Sequence, residues 1–303
     1  MNFKKYINAY KDEFEKELVW NVAIRKRGSH EKFHVIELPS KAYWMADPFL
    51  FEYEGENYLF FERFDRKRKK GELAYSPIYD DLHIGPEKVI ISRPYHLSFP
   101  NIFSYNGEIY IIPESSENKT LEIYKAIEFP NKWELYRVIM ADIAAVDTII
   151  YDKQIDRIVL LTSIGTNCCI VENRLIKLDC EFLVVDSQLN KAESDFGNRN
   201  GGALFFRNDT TYRVGQDCKN GQYGTGLVLY KLCGCRNEAQ VAYYGAHDFQ
   251  IDKLLPYCKV HTYNRNFEYE TIDLGYYVEN GIWEKWNVLR RLATRYVKRR
   301  LHN

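Results

Sequence analysis

Apolar residues along this chain fall into short runs that come in pairs. Each pair is split by a polar turn, and the pairs recur at intervals of about fifty residues. DPFLFEYEGENYLFFE begins at Asp47, FPNIFSYNGEIYIIPE at Phe99, DTIIYDKQIDRIVLLT at Asp147 and GGALFFRNDTTYRVGQ at Gly201, so the starts lie 52, 48 and 54 residues apart. Runs rich in aromatic and β-branched residues predict strands, and repeats near this period predict propeller blades. The central turns are Glu54-Gly55, Asn106-Gly107, Gln154-Ile155 and Asn208-Asp209. Asn-Gly is a strong hairpin signal because both turn positions accept positive φ, and the other three turns align with it.

A hairpin centred on each turn pairs positions symmetrically about it. Asp47 is then expected to face Glu62, Phe99 to face Glu114, Asp147 to face Thr162, and Gly201 to face Gln216. All eight lie at the open ends of their hairpins and so on one rim of the propeller. Third strands follow from Gly71, Thr120 and Gly226. A fifth blade is expected between residues 239 and 280, with His261-Thr262-Tyr263-Asn264 as its inner strand and FEYETIDLGYY as a later one.

The ends differ from the repeats. Phe3, Tyr6, Ile7, Tyr10, Phe14 and Leu18 recur at helical spacing, which predicts an amphipathic helix over 1–19. Trp20 to Ile24 reads as a strand that closes the ring by joining the C-terminal strands. Over 283–303, Trp286, Leu289, Leu292, Tyr296 and Val297 share a helical face. Lys285, Arg290, Arg291, Arg295, Lys298, Arg299 and Arg300 occupy much of the remainder. A basic amphipathic helix of this kind suits an anionic membrane surface, and equally a solvated helix docked on its own domain. The expectation is therefore all-β: a five-bladed β-propeller over 20–282 flanked by two short amphipathic helices.

Composition narrows the class. An apolar content of 46%, with 24 Tyr, 17 Phe and 5 Trp, is ample for a packed core and suits sugar-binding clefts. A formal net charge of zero argues against a nucleic-acid binder. The seven cysteines include no C-x-x-C pair, and no histidine cluster has zinc-finger spacing, so neither a disulfide framework nor a metal site is expected. No secretory h-region and no long apolar run occurs, which predicts a cytoplasmic protein, peripheral on the inner face of the membrane if the basic helix binds there. The run from Arg63 to Lys70 leaves the same rim as Glu62, either as a solvated loop or as an attractor for phosphate groups. Phosphate-binding Gly loops, Rossmann fingerprints and Asp-x-Asp metal motifs are lacking, and no cofactor is expected.

Several motifs in order carry a family resemblance: Trp44-x-Ala-Asp47-Pro-Phe, Ser98-Phe-Pro100 with Pro113-Glu114-Ser115, Asp147, Arg199-Asn-Gly-Gly, Tyr212-Arg213-x-Gly-Gln216-Asp217, Tyr223-Gly224 and His261-Thr-Tyr. Together they resemble the N-terminal propeller domain of plant glucosamine inositolphosphorylceramide transferases, itself similar to the furanosidase-type five-bladed propellers. The resemblance runs from about Trp20 to Ile272. In the plant proteins a separate glycosyltransferase domain is expected to perform transfer. This chain also has Arg-Asn-Gly-Gly where the family tends to have Arg-Pro-Ala-Gly.

The resemblance implies chemistry at an anomeric carbon, which usually needs two carboxyl groups. It implies Asp47 as nucleophile or base, with Trp44 in the same motif. Glu114 is the candidate general acid, and Asp147 is a candidate for orienting sugar hydroxyls or tuning the acid. Glu62 is a candidate substrate ligand or a partner for Arg63. Arg199, Arg213, Gln216 and Asp217 flank the fourth hairpin, where arginine suits a phosphate or carboxylate, or a structural ion pair. His261 is a candidate proton shuttle or hydrogen-bond donor. The glutamate and arginine motifs of the hydrolases are missing from the later blades, which argues against simple hydrolysis. The leading expectation is a glycosyltransferase-like enzyme acting between a sugar donor, nucleotide-activated among the options, and a glycan or glycolipid acceptor. The alternatives are a glycoside hydrolase or phosphorylase, and a non-catalytic carbohydrate-binding propeller.

Overall fold

In the computed structural model, residues 15–301 are described apart from 39, 80–81, 166–171, 191–196, 219–222, 234–236 and 254–255. Strands β3 (Tyr43–Tyr53), β4 (Glu56–Asp65), β5 (Lys70–Ile78) and β6 (Lys88–Ile91) form blade 1. Blade 2 holds β7 (Ser98–Tyr105), β8 (Glu108–Glu114), β9 (Thr120–Glu128) and β10 (Lys132–Ala141). Blade 3 holds β11 (Ala145–Gln154), β12 (Arg157–Ile164), β13 (Glu172–Asp179) and β14 (Val184–Asn190). In blade 4, β15 (Arg199–Asn200) and β16 (Phe205–Arg207) both pair with β17 (Thr210–Asp217), followed by β18 (Gly226–Cys233) and β19 (Asn237–Tyr244). Blade 5 closes the ring: β20 (Lys259–Arg265) and β21 (Tyr269–Glu279) are joined by β1 (Lys16–Lys26) and β2 (His34–Val35) from the start of the chain. The five-bladed propeller and its closure by an N-terminal strand are thus as the repeats predict.

Residues 20–274 form one compact unit. The core lies between neighbouring blades, where inward-facing positions of the strands interleave. Phe49, Phe60 and Leu73 of blade 1 pack with Phe99, Ile102 and Tyr124 of blade 2. Val22 and Ile24 of β1 pack with Met45, Leu59 and Phe61 of blade 1. The inner strands β20, β3, β7, β11 and β15 follow one another around the ring, and β20 meets blade 4 through β17 and β18.

The described parts of 1–19 and 275–303 form a second unit. Most of the helix expected over 1–19 lies outside the described residues. Residues 16–19, which helical spacing assigns to that helix, instead begin β1, and the pairing reaches outward with Asn280 donating its N–H to the Glu15 carbonyl at 2.8 Å. A backbone ladder outweighs the spacing of a single apolar residue, Leu18. Helix α1 (Ile282–Leu301) forms where the C-terminal helix is expected. Within it Val288 and Leu292 are buried, and Trp286 and Val297 are 61% and 55% exposed. Arg295, Lys298, Arg299 and Arg300 lie outside the described side chains. No helix among the described residues is long and apolar enough to cross a membrane.

The hairpin register differs from the symmetric expectation by a device shared by three blades. The turns Glu54-Gly55, Asn106-Gly107 and Asn208-Asp209 have positive φ at both positions, as type I′ turns require. Toward the rim, however, register slips between Ala46 and Phe49, between Ser98 and Asn101, and between Val146 and Ile149. Each slip is a β-bulge, two residues opposing one. Ala46, not Asp47, therefore faces Glu62, and Ser98, not Phe99, faces Glu114. In blade 3 the turn is Ile155-Asp156 and not Gln154-Ile155, because a second slip between Ile150 and Asp152 adds a residue; Val146 consequently faces Ser163, and Thr162 lies opposite the bulge. In blade 4, Arg199 rather than Gly201 faces Gln216.

Candidate active site

The bulges explain how the site residues come together. Asp47, Phe99 and Asp147 are the bulged residues, with φ of +50°, +47° and +46°. Left-handed backbone at a residue with a side chain costs about 1–3 kcal/mol and re-aims that side chain. Here the turn directs two aspartates out of the pleat and into the ring's centre, where both are buried.

Asp47 is held on every oxygen. Its Oδ1 lies 3.0 Å from Thr262 Oγ1, whose one proton is shared with Asp273 Oδ2 at 2.6 Å, and 3.2 Å from His261 Nε2, and its Oδ2 accepts the Phe99 N–H at 3.1 Å. Burial pushes its pKa up, but these donors and the imidazolium charge outweigh burial and hold Asp47 below the usual carboxylate range. Glu62 is the opposite case. Burial, with the negative charge of Asp47 beside it, raises its pKa well above the ordinary value, and its Oε1 has no hydrogen-bond partner. His96 Nε2 stands 3.5 Å from that oxygen, while burial lowers the His96 pKa. Donors thus hold one central carboxyl down while burial pushes its neighbour up.

Across the channel, Arg199 Nε donates to Asp147 Oδ2, and its Nη2 lies 3.4 Å from Glu114 Oε2. Gln216 Nε2 also donates to Asp147 Oδ2, at 2.9 Å, while its Oε1 is buried without a partner. Burial raises Asp147 to about 7 against the pull of the Arg199 guanidinium, with the charges of Glu114 and Asp47 adding to the rise. Glu114 also accepts from Ser116 Oγ at 2.7 Å. Tyr223 bridges the two halves: the Arg199 guanidinium lies 5.3 Å from its ring centre, and the His261 ring lies 5.0 Å away, edge on.

Asp47, Glu62, Glu114, Asp147, Arg199, Gln216 and His261 therefore gather in one buried cluster. Three predicted residues are placed elsewhere. Arg213 turns under the blade, donating to the Gly197 carbonyl at 3.0 Å and stacking over Tyr230. Asp217 accepts from Tyr243 Oη at 3.1 Å. Both follow from strand alternation, since neighbours of Gln216 at odd spacing point to the other face. Trp44 stacks on Phe64 with ring centres 4.3 Å apart, its buried Nε1 having no partner. The basic run from Arg63 is mostly an internally paired hairpin end: Arg63 binds Glu72, Arg68 binds Asp65 and Glu72, and Arg66 caps the Lys41 carbonyl.

Asp273 was missed. It is fully buried, with its Oδ2 2.9 Å from His261 Nδ1. Its one signal in the sequence is an aspartate between Ile272 and Leu274 inside an apolar strand, where a charge needs a buried partner. Asp47, His261 and Asp273 bring ligand-type atoms within 4.8 Å of one another. Their carboxylate oxygens accept from Thr262 and from backbone N–H groups, while His261 Nδ1 is buried without a hydrogen bond, its contact with Asp273 being an ion pair at 2.9 Å. A separate cavity of about 180 Å³ lies between blades 4 and 5, bounded by Arg25, Phe205, Arg207, Tyr263, Arg265 and the Arg25-bound Glu270, and is lined by none of the cluster's carboxyl groups.

Fold and site define a class: a five-bladed propeller whose centre gathers buried carboxyl groups with pKa values pushed in opposite directions. Residues 29–241 match the family described as glucosamine inositolphosphorylceramide transferase 1, N-terminal, and the chain belongs to that family. It is 32% identical over 203 residues to glucosamine inositolphosphorylceramide transferase 1 of Arabidopsis thaliana, covering 64% of this chain and 26% of that protein. The chain thus spans about a quarter of the length of the curated relatives it matches. Among solved structures, the catalytic domain of an alpha-L-arabinofuranosidase from Coprinopsis cinerea superimposes with a TM-score of 0.57 at 7% identity, covering 84% of this chain and 97% of that one. Beta-1,2-mannobiose phosphorylase from Listeria innocua gives 0.53 at 11% identity, covering 84% and 95%. At these identities the likeness is one of fold.

Proposed function

We propose that this propeller acts on carbohydrate, making or breaking a glycosidic bond as a glycosyltransferase-like enzyme. The observation that carries the reading is two carboxyls in one buried site, Asp47 held by hydrogen-bond donors that lower its pKa and Glu62 with an unpartnered oxygen and a pKa raised by burial. Such a pair supplies a base or nucleophile and a proton donor for the leaving oxygen. In this reading Glu62, whose buried Oε1 has no hydrogen-bond partner, is the acid, and Glu114 serves mainly to hold Arg199. Asp147, Arg199 and Gln216 would orient sugar hydroxyls or an anionic group. Transfer is favoured over hydrolysis because the glutamate and arginine motifs of the hydrolases are missing from the later blades. The acceptor would be a glycan or glycolipid.

The test is a screen of nucleotide-sugar donors and simple glycosides with wild type, Asp47→Asn and Glu62→Gln. Acceptor-dependent transfer that both variants lose supports the proposal. Sugar release to water without acceptor dependence would move the assignment to a hydrolase. Sugar binding with no turnover in the wild type would make the propeller a binding module.

We further propose that α1 lies on an anionic membrane from the cytoplasmic side. Exposed Trp286 and Val297, alongside the basic composition of the helix, support this reading.

A further inference from the structure

We infer that Asp273 is a positioning residue that locks His261 as a fixed imidazolium against Asp47, setting both the charge and the orientation of that carboxylate. The catalytic half of this inference rests on the proposed function, whereas the state of the imidazole does not.

Asp273 sits on β21 with no exposed side-chain surface. Its Oδ1 accepts the N–H groups of His261 and Thr262 at 3.1 and 2.8 Å. Its Oδ2 accepts the N–H of Asp47 at 3.0 Å and lies 2.9 Å from His261 Nδ1. The other ring nitrogen, Nε2, stands 3.2 Å from Asp47 Oδ1. A neutral imidazole has one N–H and one lone pair, so whichever nitrogen lacked a proton would point its lone pair at a carboxylate. The Nδ1 contact is an ion pair rather than an aligned hydrogen bond, and only the imidazolium matches its charge to both carboxylates.

Every element around the ring supports that state. Asp47 comes from β3 and Asp273 from β21, each carrying a negative charge. Burial pushes the pKa of Glu62 of β4 and of Tyr223, ahead of β18, upward, toward their neutral forms. Trp20 of β1 covers the ring at 4.1 Å between centres, an arrangement that favours a cation. Burial lowers the pKa of His261, but Asp273 and Asp47 overcome it and raise the value to about 10. His261 is therefore a permanent donor, not a proton shuttle, at neutral pH. Asp273 also holds the strained Asp47 backbone, because its Oδ2 receives the N–H of the residue with φ +50°.

The decisive measurement is NMR of histidine labelled at the imidazole, with His261 assigned by the signal lost in His261→Gln. The expected result is an imidazolium from pH 6 to 9, where an ordinary histidine titrates near 6.5. A neutral His261 in the wild type at pH 8 would overturn the inference without any variant. In Asp273→Asn, the midpoint should fall by more than one pH unit; an unchanged midpoint assigns the lock elsewhere and refutes the role of Asp273. If the donor screen finds turnover, Asp273→Asn should lower kcat about 100-fold with little change in KM, and move the acid limb of its pH profile upward. Unchanged kcat and limb would reject the positioning role. Absence of turnover on all donors would count against the proposed reaction but leave the NMR outcome to decide the imidazolium.

Discussion

Asp47 and Asp147 occupy equivalent places in their blades, yet their surroundings push them apart. Asp47 meets His261, Thr262 and the Phe99 N–H and stays ionised; Asp147 meets Arg199 and Gln216 but has Glu114 close by, and is raised to about 7. The lone polar signal that separates them in the sequence is His261, which sits more than two hundred residues from Asp47. His261 also gives the protein a pH-dependent stability. Its folded pKa of about 10 lies above the ordinary 6.5, so its contribution is complete below pH 6.5 and is lost as pH rises through about 10. Chemical denaturation should show lower stability at pH 9.5 than at pH 7, with a smaller difference in His261→Gln. Equal stability at both pH values in the wild type would contradict the assignment.

At the level of the strand pair, the hairpins were legible because turn chemistry and alternation are local. Glu54-Gly55 and Asn106-Gly107 mark turns wherever they stand. The bulges were not legible. Two residues opposing one is a property of the partner strand, and Asp-Pro and Phe-Pro do not announce it. The one-residue error that followed put Glu62 opposite Asp47 rather than Ala46, although both carboxyls still reach the centre. Strand spacing beside Glu62 gives a direct test. Gly71 of β5 is so close that a Cβ there would lie 2.4 Å from the Leu97 carbonyl oxygen and 2.5 Å from Glu62 Oε1. Gly71→Ala should therefore cost about 1–3 kcal/mol by overpacking and displace Glu62. Thermal unfolding and sugar binding should both suffer; a variant with wild-type melting and binding would show that β4 and β5 can separate freely.

For the whole molecule, the ring makes a site from residues that no local pattern joins. Closure by β1 brings Trp20 over His261, and the inner strand of blade 5 brings His261 and Thr262 to Asp47. The C-terminal helix is the element whose proposed role lies outside the ring. Removing 282–303 should release the protein from vesicles containing anionic phosphatidylserine, while leaving it unbound to neutral vesicles as before. Sedimentation with anionic vesicles unchanged by the truncation would reject the membrane contact. By itself, the sequence determined the repeat, the five blades, the closing strand and most of the central carboxyls, because period and alternation are short-range and survive averaging over blades. The tertiary structure alone decided the register at the rim, the placement of Arg213 and Asp217 away from the cluster, and the partnership of Asp47, His261 and Asp273. Those depend on bulges and on contacts between blades, where burial and neighbouring charge, rather than residue type, determine which carboxyl keeps its proton.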